Sequence, residues 1–211
     1  MRRSRSSRES RWPRCSTSLW VTVSPNPTCS ARPRGDGSPS LSCPHPEATV
    51  PLEHFRIDDR LVHGQVVVGW GQPLQLRFIV LVDDGVASND WERELYRMGT
   101  PPEMELLVET VDSAVARMPE FTARADAGML LTADVATMGR LTAAAPAIRD
   151  VTIGGLHHRP GRAACLSYVY LSDDEAAGLR AIAARGVRIA AQDLPASSPM
   201  PLDDLLRERG A

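Results

Sequence analysis

The chain has 211 residues, 43% of them hydrophobic, which is room for one domain of ordinary size plus an extra segment. Its formal net charge of -2 hides a split: residues 1–50 hold eight arginines against three acidic residues, and residues 51–211 hold sixteen against twenty-three. An acidic domain repels a phosphate backbone, which excludes nucleic acid as a partner, and no apolar run approaches the ~18 residues of a membrane span.

Residues 1–50 are rich in Ser, Arg and Pro and lack apolar periodicity. Such a segment cannot bury enough apolar surface to offset its chain entropy, so a disordered tail is expected. The abrupt change of composition at Val50-Pro51 also raises the expectation that the tail is not native and that the protein starts near Val50. An RNA-binding arm is the weakest reading of it. Leu19 to Val23 is too short for the apolar region of a signal peptide. Cys165 alone lies in the domain, so no internal disulfide is expected, and a reducing cytoplasm fits best.

Residues 51–211 read as one domain. Leu52-Glu53-His54-Phe55 is a strand, but a polar one, which puts its place at the centre of a sheet in doubt. Phe78 to Val82 is a run of strand formers without alternation, as in a strand buried on both faces. Ser88 to Met98 follows as a helix with Trp91, Leu95 and Met98 on one side and Gly99 as its stop. Glu105 to Val108 is a strand, Val111 to Met118 a helix and Met129 to Leu131 a strand. Asp134 caps a helix carrying Val135, Met138 and Leu141. Val151 to Ile153 is a strand ending in Gly154-Gly155, and Leu166 to Leu171 is another. Ser172-Asp173-Asp174-Glu175 is a capping box that opens a helix through Arg185, closed by Gly186. Val187 to Gln192 reads as the last strand and Leu202 to Arg209 as a terminal helix. This alternation predicts an α/β fold: an open, mostly parallel twisted sheet with helices on both faces.

Ligands in such sheets sit beyond the carboxyl ends of the strands. Three polar turns are expected to converge there: Asp58 to Gly64, Asp83-Asp84-Gly85 and Gly154 to Gly161. The first carries the most chemistry. His63 lies between a strand and a helix start, Gly64 lets a ligand approach the backbone, and the N–H groups that follow His63, Gln65 among them, can meet an anion together with Arg60. This marks His63 as a phosphoryl-accepting nucleophile. Asp58 or Asp59 can fix the imidazole tautomer or orient an arginine. Gly154 and Gly155 serve either as a plain tight turn or as a second loop that approaches the phosphate, with His157 and Arg159 as helpers. The adjacent His157 and His158 do not share a face and lack a third ligand, so no metal is expected. Asp83 is a further candidate helper, but it is not read as the acceptor of a receiver-like domain, because the chain has no lysine to go with it. Trp70 and Trp91 read as core or partner-surface residues.

Arg56-Ile57-Asp58-Asp59-Arg60-Leu61-Val62-His63-Gly64-Gln65-Val66 closely resembles the signature of the IIB component of the mannose/sorbose family in the bacterial sugar phosphotransferase system. Asp83-Asp84 resembles the family's second loop, Ile153 to Arg162 its Gly-Gly loop, and Ser172 to Gln192, ending in Pro195, its last helix and strand. The resemblance covers roughly residues 52–209, a whole domain by the usual size range. It implies a cytoplasmic phosphocarrier that needs no cofactor. The phosphoryl group comes from a phosphohistidine of the IIA component and passes to a sugar held by the IIC/IID membrane components. On this resemblance the phosphorylated histidine is His63 and the phosphate-stabilising arginine is Arg60. The alternatives are a regulatory module, in which phosphorylated His63 signals to another protein without transport, and a hydrolase with His63 as general base, which lacks an evident nucleophile.

Overall fold

The computed structural model describes residues 52–209; residues 1–51, which include the Arg/Ser/Pro segment, and residues 210–211 lie outside it. Seven strands form one sheet in the order β3-β2-β4-β1-β5-β8-β9. They are β1 (Leu52–Ile57), β2 (Phe78–Val82), β3 (Glu105–Glu109), β4 (Gly128–Thr132), β5 (Asp150–Ile153), β8 (Arg188–Ala191) and β9 (Met200–Pro201). All pairings in it are parallel except β8 with β9. A separate antiparallel hairpin joins β6 (Ala163–Leu166) to β7 (Val169–Leu171). The helices are α1 (Asp84–Ala87), α2 (Asp90–Met98), α3 (Val111–Thr122), α4 (Val135–Ala144), α5 (Asp173–Ala184) and α6 (Leu202–Arg207), with a π-helical turn over Gln65–Trp70.

Both faces of the sheet are covered, which is why β2 and β4 are buried along their whole length. Phe78, Val80, Val82 and Leu130 point into one core with Ala114, Phe121, Met138, Leu141, Leu179 and Ile182 of α3, α4 and α5. Ile79, Leu81, Met129 and Leu131 point into the other, with Leu61, Val66, Val67 and Trp70. The side-chain period of two thus assigns each strand residue to one layer or the other.

Local chemistry sets the element boundaries. The Asp134 carboxylate accepts from Thr137 N–H to start α4. Ser172 and Glu175 complete a reciprocal capping box on α5. Gly186 follows that helix at φ +86°, a conformation a β-carbon disfavours.

Several expectations need correction. β1 lies in the middle of the sheet, not at an edge: it pairs with β4 along its length, but with β5 only through Arg56 and Ile57. Its polar start is tolerated because that half has a ladder on one side only. Leu166 to Leu171 is not a sheet strand but the turn and second arm of the hairpin. β8 is not the last strand, since β9 adds an antiparallel edge. Trp91, Leu95 and Met98 do share a side of α2, but that side faces solvent, and α2 holds no fully buried residue.

Candidate functional site

β1 ends at Ile57, and its ladder continues into the turns that follow. Asp58 N–H donates to Thr132 O, Gly154 N–H to Ile57 O and Asp59 N–H to Gly155 O. These three bonds dock the His63 turn against the Gly154–Gly155 loop at the carboxyl edge of the sheet, where open α/β sheets bind ligands.

Asp58 is the hub. It is fully buried, and both carboxylate oxygens are engaged. Oδ2 accepts from Arg56 Nη2 and from Gly155 N–H, both at 3.0 Å. Oδ1 accepts from Arg60 N–H at 3.3 Å and lies 3.2 Å from His63 Nε2. That last contact is short enough for an ion pair but bent away from a full hydrogen bond. Burial alone would raise the Asp58 pKa; the His63 ring, the Gly155 N–H and the Arg56 charge outweigh it and hold the carboxyl at about 2. The site aspartate is therefore an anion at any physiological pH.

The partners of His63 assign its tautomer. Gln65 N–H donates to Nδ1 at 3.3 Å, so Nδ1 offers a lone pair. The ring proton then sits on Nε2, beside Asp58, where the atom is buried. The ring as a whole keeps 16% of its surface exposed. Arg60 is 43% exposed; its Nη2 donates to Gln65 Oε1 at 2.8 Å, and its Nε lies 3.7 Å from Asp58. A guanidinium, a backbone N–H and a nucleophilic nitrogen thus share one corner. Gly64 is exposed there, and a β-carbon on it would meet nothing within 4 Å. The turn that delivers His63 is strained: Leu61 adopts φ 54° while its N–H closes a bond to Asp58 O. Such conformations persist only where surrounding structure enforces them, as the 95% burial of Leu61 does here.

The second expected loop is present. Gly155 donates to Asp58, and a β-carbon on Gly154 would fall 2.2 Å from Arg56 Nη2, so only glycine lets the guanidinium lie there. His157 and Arg159 do not contact His63; they belong to Asp59, with His157 Nδ1 at 2.6 Å from Oδ1 and Arg159 Nη2 at 3.6 Å from Oδ2. The two aspartates therefore have separate tasks. The Asp83 turn does not join the cluster: its carboxylate accepts from Gly85 and Val86 N–H and starts α1. The helix that opens after His63 is a π-helical turn rather than an α-helix, and Val66 and Val67 N–H both close onto His63 O.

Three supporting residues carried no role in the sequence reading. Arg56 is 1% exposed; it lies over the Trp70 ring at 4.8 Å and donates to Gln192 O at 2.9 Å. Arg162 links Asp59 to Glu175. The Asp193 carbonyl, just after β8, accepts from Trp70 Nε1 at 2.7 Å and Gln65 Nε2 at 3.3 Å. A buried arginine inside a strand motif was the signal available for Arg56, since a charge there needs a partner. Among the described residues no His/Cys/Asp/Glu group could hold a metal ion, and no helix is long and apolar enough to cross a membrane.

Fold and site together define an open, mostly parallel α/β protein with one imidazole set at the carboxyl edge of its sheet between a buried carboxylate and an exposed guanidinium. A family model described as PTS system sorbose subfamily IIB component matches residues 52–211. The N-acetylgalactosamine-specific phosphotransferase enzyme IIB component 1 of Escherichia coli (strain K12) is 30% identical over 159 residues, covering 71% of this chain and 94% of that protein. The sorbose-specific EIIB component of Klebsiella pneumoniae is 31% identical over 137 residues, covering 64% and 82%. The solved IIBSor domain of the sorbose permease from Klebsiella pneumoniae matches with a TM-score of 0.68 at 25% identity, over 75% of this chain and 97% of that one. The chain belongs to the sorbose subfamily of phosphotransferase-system IIB components.

Proposed function

We propose that His63 is the phosphoryl carrier of this IIB component, accepting the group on Nδ1 from a phosphohistidine of the IIA component. It then hands the group to a sugar during uptake through IIC/IID. The observation that carries this reading is the division of labour on one ring: Nε2 is buried against Asp58, and Nδ1 is the nitrogen with a lone pair. In the first step the donor's N–P bond breaks as a bond from Nδ1 to phosphorus forms. The Nε2 proton stays beside Asp58, which compensates the positive charge that gathers on the ring. Gln65 N–H is released from the lone pair and can turn to a phosphoryl oxygen, while Arg60 meets a second. In the second step the N–P bond breaks, a sugar hydroxyl oxygen takes the phosphorus and releases its proton to solvent, and the ring returns to its starting tautomer. Transfer of this kind is mostly positioning and charge balance, which a pre-set carboxylate–imidazole pair supplies.

The open setting of the site supports a group that arrives on another protein. A cavity of about 560 Å³ among the described residues is lined by residues such as Ile189 and Leu202, not by His63. Residues 51–211 are proposed as the IIB domain, with residues 1–50 outside it. Neither the geometry nor the relatives favour the regulatory reading.

The test is labelling from phosphoenolpyruvate through the upstream carriers and a IIA component. The expected product is acid-labile and base-stable, and His63→Ala removes it. Full labelling of His63→Ala refutes the assignment. Arg60→Ala should leave the fold unchanged and slow transfer by roughly ten- to a hundredfold, the loss of one charge-assisted contact. A normal rate would deny Arg60 its role.

A further inference from the structure

Two adjacent aspartates each hold one imidazole. Asp58 faces His63, and Asp59, only 4% exposed, holds His157. Asp59 Oδ1 pairs with His157 Nδ1 at 2.6 Å, and Oδ2 accepts from the His157 backbone N–H at 2.9 Å. Arg162 is nearly buried. It donates to Asp59 Oδ2 at 3.2 Å and to the His157 carbonyl at 2.8 Å, and Glu175 grips it from behind. Burial would lift the Asp59 pKa, but His157 and Arg162 hold it below the ordinary value. The carboxylate, the loop backbone and one end of the ring thus form a rigid unit.

The other end of the ring is open, for the side chain is 45% exposed. Its Cε1 edge lies over Gly155. A β-carbon there would lie 2.8 Å from His157 Cε1, 3.1 Å from Asp58 Oδ1 and 3.4 Å from Arg60 Nη2. His157, Arg60 and Asp58, the partner of His63, therefore converge on one glycine, and no larger residue fits at their meeting point. His158, the next residue, is accounted for elsewhere: its ring meets Tyr170 edge-on at 5.6 Å.

We propose that His157 is a second imidazole of the site, which binds the phosphoryl group on His63 through its Nε2. The proposal rests on the phosphocarrier reading above. With Nδ1 engaged by Asp59, Nε2 is the ring nitrogen left to reach a phosphoryl oxygen at that corner. A phosphoryl dianion draws a proton from solvent onto that nitrogen, and the resulting N–H donates to a phosphoryl oxygen. Arg159 and Arg162 on its own loop and Arg60 on the other side of Gly155 oppose this protonation. Asp59 and Asp58 favour it, and the phosphoryl charge tips the balance. Phosphorylation of this chain is then coupled to uptake of a proton at His157.

An NMR titration of the ring nitrogens tests this, using the full chain before and after phosphorylation by phosphoenolpyruvate and the carrier proteins. The expected result is that His157 titrates about one pH unit higher in the phosphorylated protein, a roughly tenfold gain in proton affinity, while His158 does not move. His157→Gln should accept the phosphoryl group about tenfold more slowly at pH ~6 and lose the pH dependence of the rate between about pH 5 and 8. A His157 that titrates identically in both forms, with His63 demonstrably phosphorylated, overturns the proposal. A protein whose His63 takes no phosphoryl group overturns the underlying reading instead.

Discussion

Asp58 is fully buried and contacted on both oxygens, so its charge is a stability matter as well as a catalytic one. Its folded pKa of about 2 lies below the ordinary 3.8. The stabilisation is thus present above about pH 4 and is lost as pH falls through about 2, roughly 2 kcal/mol in all. Urea unfolding across that interval should show the loss, and Asp58→Asn should show a flatter profile. At neutral pH the same variant should be less stable by about 3–5 kcal/mol, because Arg56 stays buried without its anion. Gly64 gives the opposite pattern. Its backbone is helical at φ -53°, and its β-carbon position is empty, so Gly64→Ala should gain roughly 0.5–1 kcal/mol of stability. If the phosphoryl group or its donor uses that space, the gain comes with slower transfer. A faster-transferring Gly64→Ala would show that nothing approaches there.

At the scale of elements, the site is a joint between the end of β1 and the loop after β5. Gly154→Ala tests the joint, since its new methyl group would strike the Arg56 guanidinium. The expected loss is about 1–3 kcal/mol with transfer impaired, read from thermal melts and labelling together. A neutral outcome would mean that Arg56 is not anchored as described. Much at this scale was legible: the caps at Asp134 and Ser172 announce α4 and α5, and the unbroken apolar run of β2 announces a strand covered on both faces. The β6–β7 hairpin was not, because the turn at Ser167 and Tyr168 carries no Gly or Pro to interrupt the apolar run. Nor was the orientation of α2. An apolar stripe of Trp91, Leu95 and Met98 gives a periodicity, but not which side the helix turns toward the sheet. Within the site, His63, Arg60 and the Asp58–Asp59 pair could be picked out from one contiguous motif, but not which aspartate faces His63. The separate allegiance of Asp59 to His157 and Arg162, about a hundred residues later in the chain, needs the β1–β5 pairing to be seen.

The whole domain works as a platform. Two cores clamp the sheet, and the connections after β1 and after β5 leave toward opposite faces, the arrangement that in open α/β sheets puts ligand sites at the carboxyl edge, where His63 stands. All described contacts of the site lie within residues 56–193. A chain beginning at residue 50 is therefore expected to accept the phosphoryl group at the rate of the full chain; a large loss of rate would give the first 50 residues a part in the reaction. The phosphocarrier role of His63 turns on which atom carries phosphorus. Phosphorus–nitrogen correlation by NMR on the phosphorylated, 15N-labelled protein decides this directly. The predicted result is a single phosphohistidine, on Nδ1 of His63, with Nε2 still protonated. A phosphoryl group on Nε2 of that ring, or on any other residue, would contradict the arrangement of Asp58, His63 and Gln65 on which the rest is built.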